Sequence, residues 1–352
     1  MGNRVTLQTI ADALGVSRTT VSNAYNRPDP LAPELRERIL DTARERRYSG
    51  PDPAARRLRS GRRDAVGLLF TEELSYAFTD PAAVILLQGI AAATERAGLA
   101  LLLVPAFGSG SRSAVRDAVV DAFCIYSMPE GHPNVVAALD RGVPVVVVDE
   151  PPLPGRSYVG IEDRRGARLV AEHLVALGHR RFAVFCERTQ EDGFAGRLTA
   201  EREAAATYYI TRERIGGYRE AFAAAGFAWD SIPRFEIPAN RPERGLEAGR
   251  AALALDPRPT ALVALTDQLA IGALEAIAEA GLKVPRDISI AGFDDVPGAA
   301  TAGPGLTTVR QPLREKGEIA GRLLIADDSE PREVILPVEL IVRGSTAPPP
   351  GS

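Results

Sequence analysis

Apolar residues in the first fifty positions recur three and four apart. Leu7, Ile10, Ala11 and Leu14 fall on one face of a helix over 7–14, with Thr6 placed to cap it and Gly15 to end it. Ser17 opens a second helix over 18–25, with Val21 and Ala24 facing inward. A third spans 33–47, with Pro33 at its first position and Leu35, Ile39, Leu40 and Ala43 apolar. From Ala65 the pattern changes. Unbroken apolar runs, "AVGLLFT", "LALLLVP", "DAFCIYS" and "VPVVVVDE", alternate with helix-length segments, and "RFAVFCE", "TALVALTD" and "ISIAGFDD" form a second such series. Strands apolar on both faces belong in parallel sheets covered by helices on both sides. The expected fold is α/β: an N-terminal all-α head followed by two doubly wound parallel-sheet lobes.

Two short helices joined at one glycine and braced by a third read as a helix-turn-helix. Its second helix enters the major groove with N-terminal residues facing base edges. Arg18, Thr19 and Asn23 are its exposed polar positions; Arg pairs with guanine and Asn with adenine. Ser17, Thr20 and Ser22 suit phosphate oxygens, and Thr6 and Asn26 complete the candidate DNA-binding set. Charge supports this division. Residues 1–63 hold thirteen arginines, no lysine and seven acidic residues, a net charge of +6 on a chain of −4, which leaves −10 on the remainder. A basic head on an acidic body points to a polyanion partner for the head alone.

Other chemistry is sparse. There is no G-x-x-x-x-G-K-[ST], G-x-G-x-x-G or G-x-S-x-G motif, so no enzyme activity is expected. "FGSGS" at 107–111 reads as a flexible turn, since it lacks a phosphate-binding lysine. His132, His173 and His179 show no metal-ligand spacing with Cys124 or Cys186, so neither metal nor cofactor is expected. Two cysteines inside apolar runs, no signal-peptide core in MGNRVTLQTI and no apolar run of about 18 residues point to a cytoplasmic, nucleoid-associated protein without membrane contact.

"VTLQTIADALGVSRTTVSNAYN" and "RYSGPDPAARRLRSG", together with the strand series, resemble the lactose-repressor (LacI) family of bacterial transcription regulators across essentially the whole chain. The T-x-x-x-I-A-x-x-x-G-V-S-x-x-T-V-S pattern is the specific part. The resemblance implies lobes of the periplasmic-binding-protein type, which close on ligand by a hinge. It also implies that residues 50–63 are a hinge that becomes helical on DNA. There Leu58, with Ala55 beside it, would wedge into the minor groove, and Arg56 would serve the phosphates. The step from Tyr48 to Pro51 is one residue longer than the family's usual spacing.

Expected domains are 1–49 (reading head), 50–63 (hinge), 64–160 with 295–328 (first lobe), 161–294 with 329–346 (second lobe) and 347–352 (disordered tail). Ligands of doubly wound sheets lie beyond the carboxyl ends of the strands. Candidate effector contacts there are Thr71, Phe78, Asp163, Arg214, Asp294 and Gln311. By the resemblance, the last four match polar ligand contacts. Thr266 stands where some relatives place a ligand-binding Asn, and Asn240 where the repressor that names the family has an aromatic residue. Asp267 is expected to cap the helix that it opens. The segment 188–209, longer than in simple relatives, is expected to be either a lid or a solvated insertion. The expected function is an operator-binding transcription regulator, a repressor, whose DNA affinity follows a sugar- or nucleoside-like effector held between the lobes. The proline-rich end "RGSTAPPPGS" suits a homodimer without a coiled-coil tetramer helix. The alternative is a sugar-binding protein without DNA function.

Overall fold

The computed structural model describes residues 5–26, 31–50, 64–70, 74–105, 111–326 and 330–351. The calls on "FGSGS", on Thr71 and on the hinge residues Ala55, Arg56 and Leu58 fall on or reach positions outside the described residues. The chain forms two compact units, Met1–Asp64 and Ala65–Ser352.

The head is three helices, α1 (Leu7–Leu14), α2 (Arg18–Asn26) and α3 (Pro33–Glu45). Thr6 caps α1 in a reciprocal box with Thr9, and Gly15 ends it in the left-handed region at φ 66. Ser17 Oγ accepts the Thr20 amide at 3.0 Å and so caps α2. Leu7, Ile10, Ala11, Val21, Ala24, Ile39 and Ala43 bury one small core, with Tyr25 set edge-on to Tyr48.

In the body, β1 (Ala65–Phe70), α4 (Pro81–Arg96), β2 (Ala100–Val104), α5 (Ser111–Asp117), β3 (Ala122–Tyr126), α6 (Pro133–Leu139), β4 (Val145–Val148) and β5 (Ser157–Ile161) build the first lobe. The second follows with α7 (Asp163–Ala176), β6 (Phe182–Glu187), β7 (Gly196–Arg197), α8 (Ala200–Ala204), α9 (Tyr209–Ala224), β8 (Arg234–Ile237), α10 (Pro242–Leu253), β9 (Ala261–Ala264), α11 (Asp267–Glu279) and β10 (Ser289–Ala291). Last come β11 (Thr308–Arg310), α12 (Leu313–Ile325), β12 (Glu333–Leu336) and β13 (Glu339–Ile341). The first sheet is parallel, in the order β12-β5-β4-β3-β1-β2; the second runs β10-β9-β6-β8-β7, with only β7 antiparallel. Alternation places each strand's residues on opposite faces. Val66, Leu68 and Phe70 meet α4 and α12, while Ala65 and Leu69 share the core that α5 and α6 cover.

The domain boundaries differ from the expected ones at three places. Residues 295–307 stay with the second lobe, because Val296, Ala299 and Leu306 join its core. Strand β12 belongs to the first sheet, since it pairs with β5 from Glu333↔Tyr158 to Leu336↔Ile161 and covers an edge that would otherwise be open. The return to the second lobe therefore comes after Leu336, where β13 pairs with β11. The tail is ordered at its start: the carbonyl of Ala347 accepts from Ser289 at 3.1 Å and is bonded to His179 at 2.9 Å.

Helix α12 meets α4 backbone to backbone. A Cβ on Gly317 would lie 2.2 Å from the Leu86 carbonyl oxygen, and one on Gly89 would lie 2.2 Å from that of Arg314. We expect Gly317→Ala to destabilise the body by ~1–3 kcal/mol, because neither backbone can give way. Gly298→Ala, whose nearest neighbour is a side-chain tip 3.6 Å away, should stay within ~0.5 kcal/mol. Urea denaturation of the two variants checks both.

Candidate functional site

On the head, the capping of α2 decides what its start presents. Ser17, Arg18 and Thr19 are exposed, and Thr20, Ser22 and Asn23 are half-buried. Ser17 Oγ lies 2.8 Å from Thr20 Oγ1, so these hydroxyls are paired across the first turn while Arg18 and Thr19 stand clear of it. Thr6 is exposed at the start of α1. Asn26 closes α2. This surface presents donors where the helix N-terminus favours anions.

In the body, the ends of both sheets converge on a cleft of about 90 Å³. Phe70, Tyr126 and Ser127, and the Asp149–Glu150 pair, come from the ends of β1, β3 and β4. From the second lobe come Glu187 and Arg188 at the end of β6, Asn240 after β8, Thr266 after β9 and Asp294 after β10. Three of these hold left-handed backbone: Ser127 at φ 52, Asp149 at φ 67 and Asp294 at φ 120. Such conformations in non-glycine residues cost about 1–3 kcal/mol each and cluster at binding sites.

Arg214, on the first turns of α9, is 5% exposed and lines the cleft. Its Nε donates to Asp163 Oδ1 at 2.8 Å and its NH1 to the Leu265 carbonyl at 2.6 Å, with Asp294 Oδ1 3.6 Å away. The guanidinium lies 3.7 Å from the centre of the Phe293 ring. Burial works against its charge, but Asp163 and Asp294 more than offset this and hold its pKa above the ordinary value. Gln311 donates to Asp294 Oδ1 at 2.7 Å and accepts from Lys316 at 2.7 Å; Lys316 also donates to both oxygens of Asp149, at 2.8 and 2.9 Å.

Of the sequence-predicted effector residues, Arg214, Asn240, Thr266, Asp294 and Gln311 meet in this cleft. Asp163 stands behind Arg214, outside the lining. Phe78 is 64% exposed and also outside it; Tyr76, two residues earlier, lines the cleft instead. Asp267 is not the cap of α11. Thr266 is, through Leu269, and Asp267 is buried, accepting from Thr308 at 2.6 Å and from the Val296 amide at 2.9 Å. Sequence reasoning passed over Asp80, Asp149, Glu150 and Lys316. The strand-end rule would have found Asp149 and Glu150 in "VPVVVVDE".

The insertion is pinned to the second lobe. Strand β7 extends the sheet beside β8, and Arg202 grips Glu236 at 2.7 Å and Asp192 at 2.9 Å. Its two ends bring Arg188 and Tyr208 to the cleft, the guanidinium 5.0 Å from the ring centre.

Residues 171–346 match the periplasmic binding protein-like domain family. The chain is 43% identical over 356 residues to an HTH-type transcriptional regulator of Mycobacterium tuberculosis, covering 99% of this chain and 98% of that one. Among solved structures, a LacI-family transcriptional regulator from Corynebacterium glutamicum superposes with a TM-score of 0.74 at 34% identity, covering 98% of this chain and all of that one. The chain belongs to the LacI family of transcription regulators. The regulator CelR in complex with cellobiose is also similar, with a TM-score of 0.71 at 27% identity over 97% of this chain and 100% of that one. This LacI-family chain is thus a DNA-binding regulator rather than an enzyme. No helix among its described residues is long and apolar enough to cross a membrane.

The cleft carboxylates titrate unusually. Burial raises Glu150 to about 8; burial, with the charge of Asp294, raises Asp80 to about 7; and burial, opposed by Arg214, leaves Asp294 at about 7. Folded values above the ordinary value of about 4 mean that the folded state binds more protons, so this contribution to stability is full in acid and is lost as pH rises through 7 to 8. We expect the melting temperature of the body to fall between pH 6 and pH 9, and to fall less in Glu150→Gln. Calorimetry across that range checks it; a flat or rising profile contradicts the assignment.

Proposed function

We propose that this chain is a homodimeric repressor that binds a pseudopalindromic operator and changes its DNA affinity when a small, neutral, polyhydroxylated effector, a sugar or nucleoside, occupies the cleft. It acts in the cytoplasm at the nucleoid. The observation that carries the effector class is the cleft's polar inventory. Asp80, Asp149, Glu150, Glu187 and Asp294 line or floor it, and Arg188 and Arg214 are its lining guanidiniums. Acceptors in that number suit hydroxyl donors, whereas a phosphate or carboxylate ligand brings acceptors of its own. Phe70, Tyr76, Tyr126 and Tyr208 offer aromatic faces between them. Cellobiose in CelR is a ligand of this class.

The DNA half rests on the exposed start of α2 with its capped, hydroxyl-rich turn. One head buries too little surface for tight specific binding, which favours two half-sites read from adjacent major grooves. The cleft lies between lobes that the chain connects in series with the hinge, so an effector acts on DNA affinity by binding two lobe arrangements unequally.

A thermal-shift screen tests the effector class. Neutral sugars, polyols and nucleosides are expected to include at least one compound that raises the melting temperature, and the matching sugar phosphates are expected not to. A shift confined to the phosphates would overturn it. Selection from random DNA is expected to return a dyad. Arg18→Ala or Asn23→Ala should then cost ~1–3 kcal/mol and relax one base per half-site.

A further inference from the structure

Helix α9 has no cap of its own. Tyr208 occupies its N-cap but its hydroxyl donates to Glu191 rather than serving the helix start, and the first turn holds no acidic residue. Such a start leaves amide groups unpaired unless an acceptor arrives from elsewhere. Here it arrives from the other lobe. Glu150, just past β4, accepts the Ile210 amide on Oε2 at 2.9 Å and the Ser127 hydroxyl on Oε1 at 3.1 Å, and is 3% exposed. Beside it the Glu130 amide donates to the Thr207 carbonyl at 3.1 Å, and Arg212 approaches the Glu130 carboxylate at 3.5 Å. One turn beyond Ile210 stands Arg214.

We propose that Glu150 is a positioning residue for effector capture: the first lobe supplies the N-cap of the second-lobe helix that carries Arg214. The cap forms only when the lobes come together, so closure secures the first turn of α9, one turn before Arg214. A Ser or Asp at 208 would have capped α9 in every lobe arrangement. That position holds a tyrosine, which lines the cleft instead. A carboxyl group suits the task because one oxygen takes the Ile210 amide while the other bonds the Ser127 hydroxyl. On the opposite wall a second cross-lobe bond runs from the Tyr76 hydroxyl to the Asn240 carbonyl at 2.8 Å, with the Arg241 guanidinium 5.2 Å from the Tyr76 ring centre. The cleft is therefore tied on both sides; on the arginine's helix the Glu150 tie takes the buried first-turn amide, whereas the Arg212–Glu130 pair lies at the surface.

The consequence for the effector rests on reading the cleft as its site; the cap itself does not. Hydrogen exchange on the full chain without any added small molecule tests the cap. Glu150→Ala is expected to speed exchange of the 210–212 amides at least tenfold and to leave those of β6 and α11 unchanged. Glu150→Gln keeps one carbonyl acceptor and is expected to restore most of the protection. Spin labels on Asp140→Cys and Glu247→Cys are expected to report a longer distance between the lobes in Glu150→Ala. Unchanged exchange at 210–212 would overturn the cap, whatever the cleft binds. Faster exchange throughout the second lobe would reduce Glu150 to a fold-supporting residue and also reject it. Faster local exchange with an unchanged label distance would reject the link to closure. A thermal-shift screen without a binding sugar or nucleoside would count against the effector reading alone.

Discussion

A buried guanidinium ties together four segments of the second lobe. Arg214 is held by Asp163 at the start of α7, by the Leu265 carbonyl past β9, and by Asp294 and Phe293 past β10. Four segments that are distant in sequence converge because a guanidinium in the interior must find its counter-charges and acceptors there. The helix pair on which this depends is packed to match: a Cβ on Gly217 would lie 2.1 Å from the Arg164 carbonyl oxygen, so α9 approaches α7 at backbone distance. Were the arginine removed, Asp163 and Asp294 would remain buried without it. That places Arg214 in the frame of the lobe as well as in the cleft.

The same network crosses to the first lobe. Lys316 has three protons and three near oxygens, two on Asp149 and one on Gln311. Because Gln311 accepts from the lysine, its amide nitrogen faces Asp294, which fixes the orientation of that side chain. The floor of the cleft is one chain of polar contacts from Asp163 through Arg214, Asp294, Gln311 and Lys316 to Asp149. A ligand hydroxyl that bonds Asp294 or Asp149 acts on groups anchored in both lobes. Helix α12, which carries Lys316, is locked to α4, and α4 is capped by Asp80 in the same cleft. Displacement of the floor has no soft side chain at that seam to absorb it.

What the sequence discloses follows the range of the physics. Caps and glycine turns act over three or four residues, so Thr6, Gly15 and Ser17 are readable directly, and so are the apolar parallel strands. Asp294 and Gln311 are readable because strand ends in this architecture line the cleft, and Arg214, inside α9, only through the family resemblance. Phe78 and Tyr76 are two residues apart on one short turn, and nothing local says which of them faces inward. Lys316 sits in an ordinary amphipathic helix and shows no sign of burial until Asp149 and Gln311 are in place. Strand β12 carries "EVIL", a run that suits either sheet; only the open edge of β5 decides. Asp267 reads as a cap because Asp often is one, but Thr266 wins that role when Thr308 and Val296 claim the carboxylate.

The strained backbone and the raised carboxylates belong to one design. Ser127, Asp149 and Asp294 each leave a strand in a left-handed turn, and each turn aims a polar group into the cleft that an extended continuation would carry past it. Crowding Asp80, Glu150 and Asp294 into that space raises their pKa values by burial. Both features weaken the folded body, and neither is needed to bury its two sheets. They make sense where hydroxyl donors from a ligand enter between the lobes, because such donors satisfy the carboxylates without adding charge. Binding then relieves a cost already built into the protein. The relief is greatest when both lobes contribute acceptors together, so a ligand that bonds both also favours the closed arrangement.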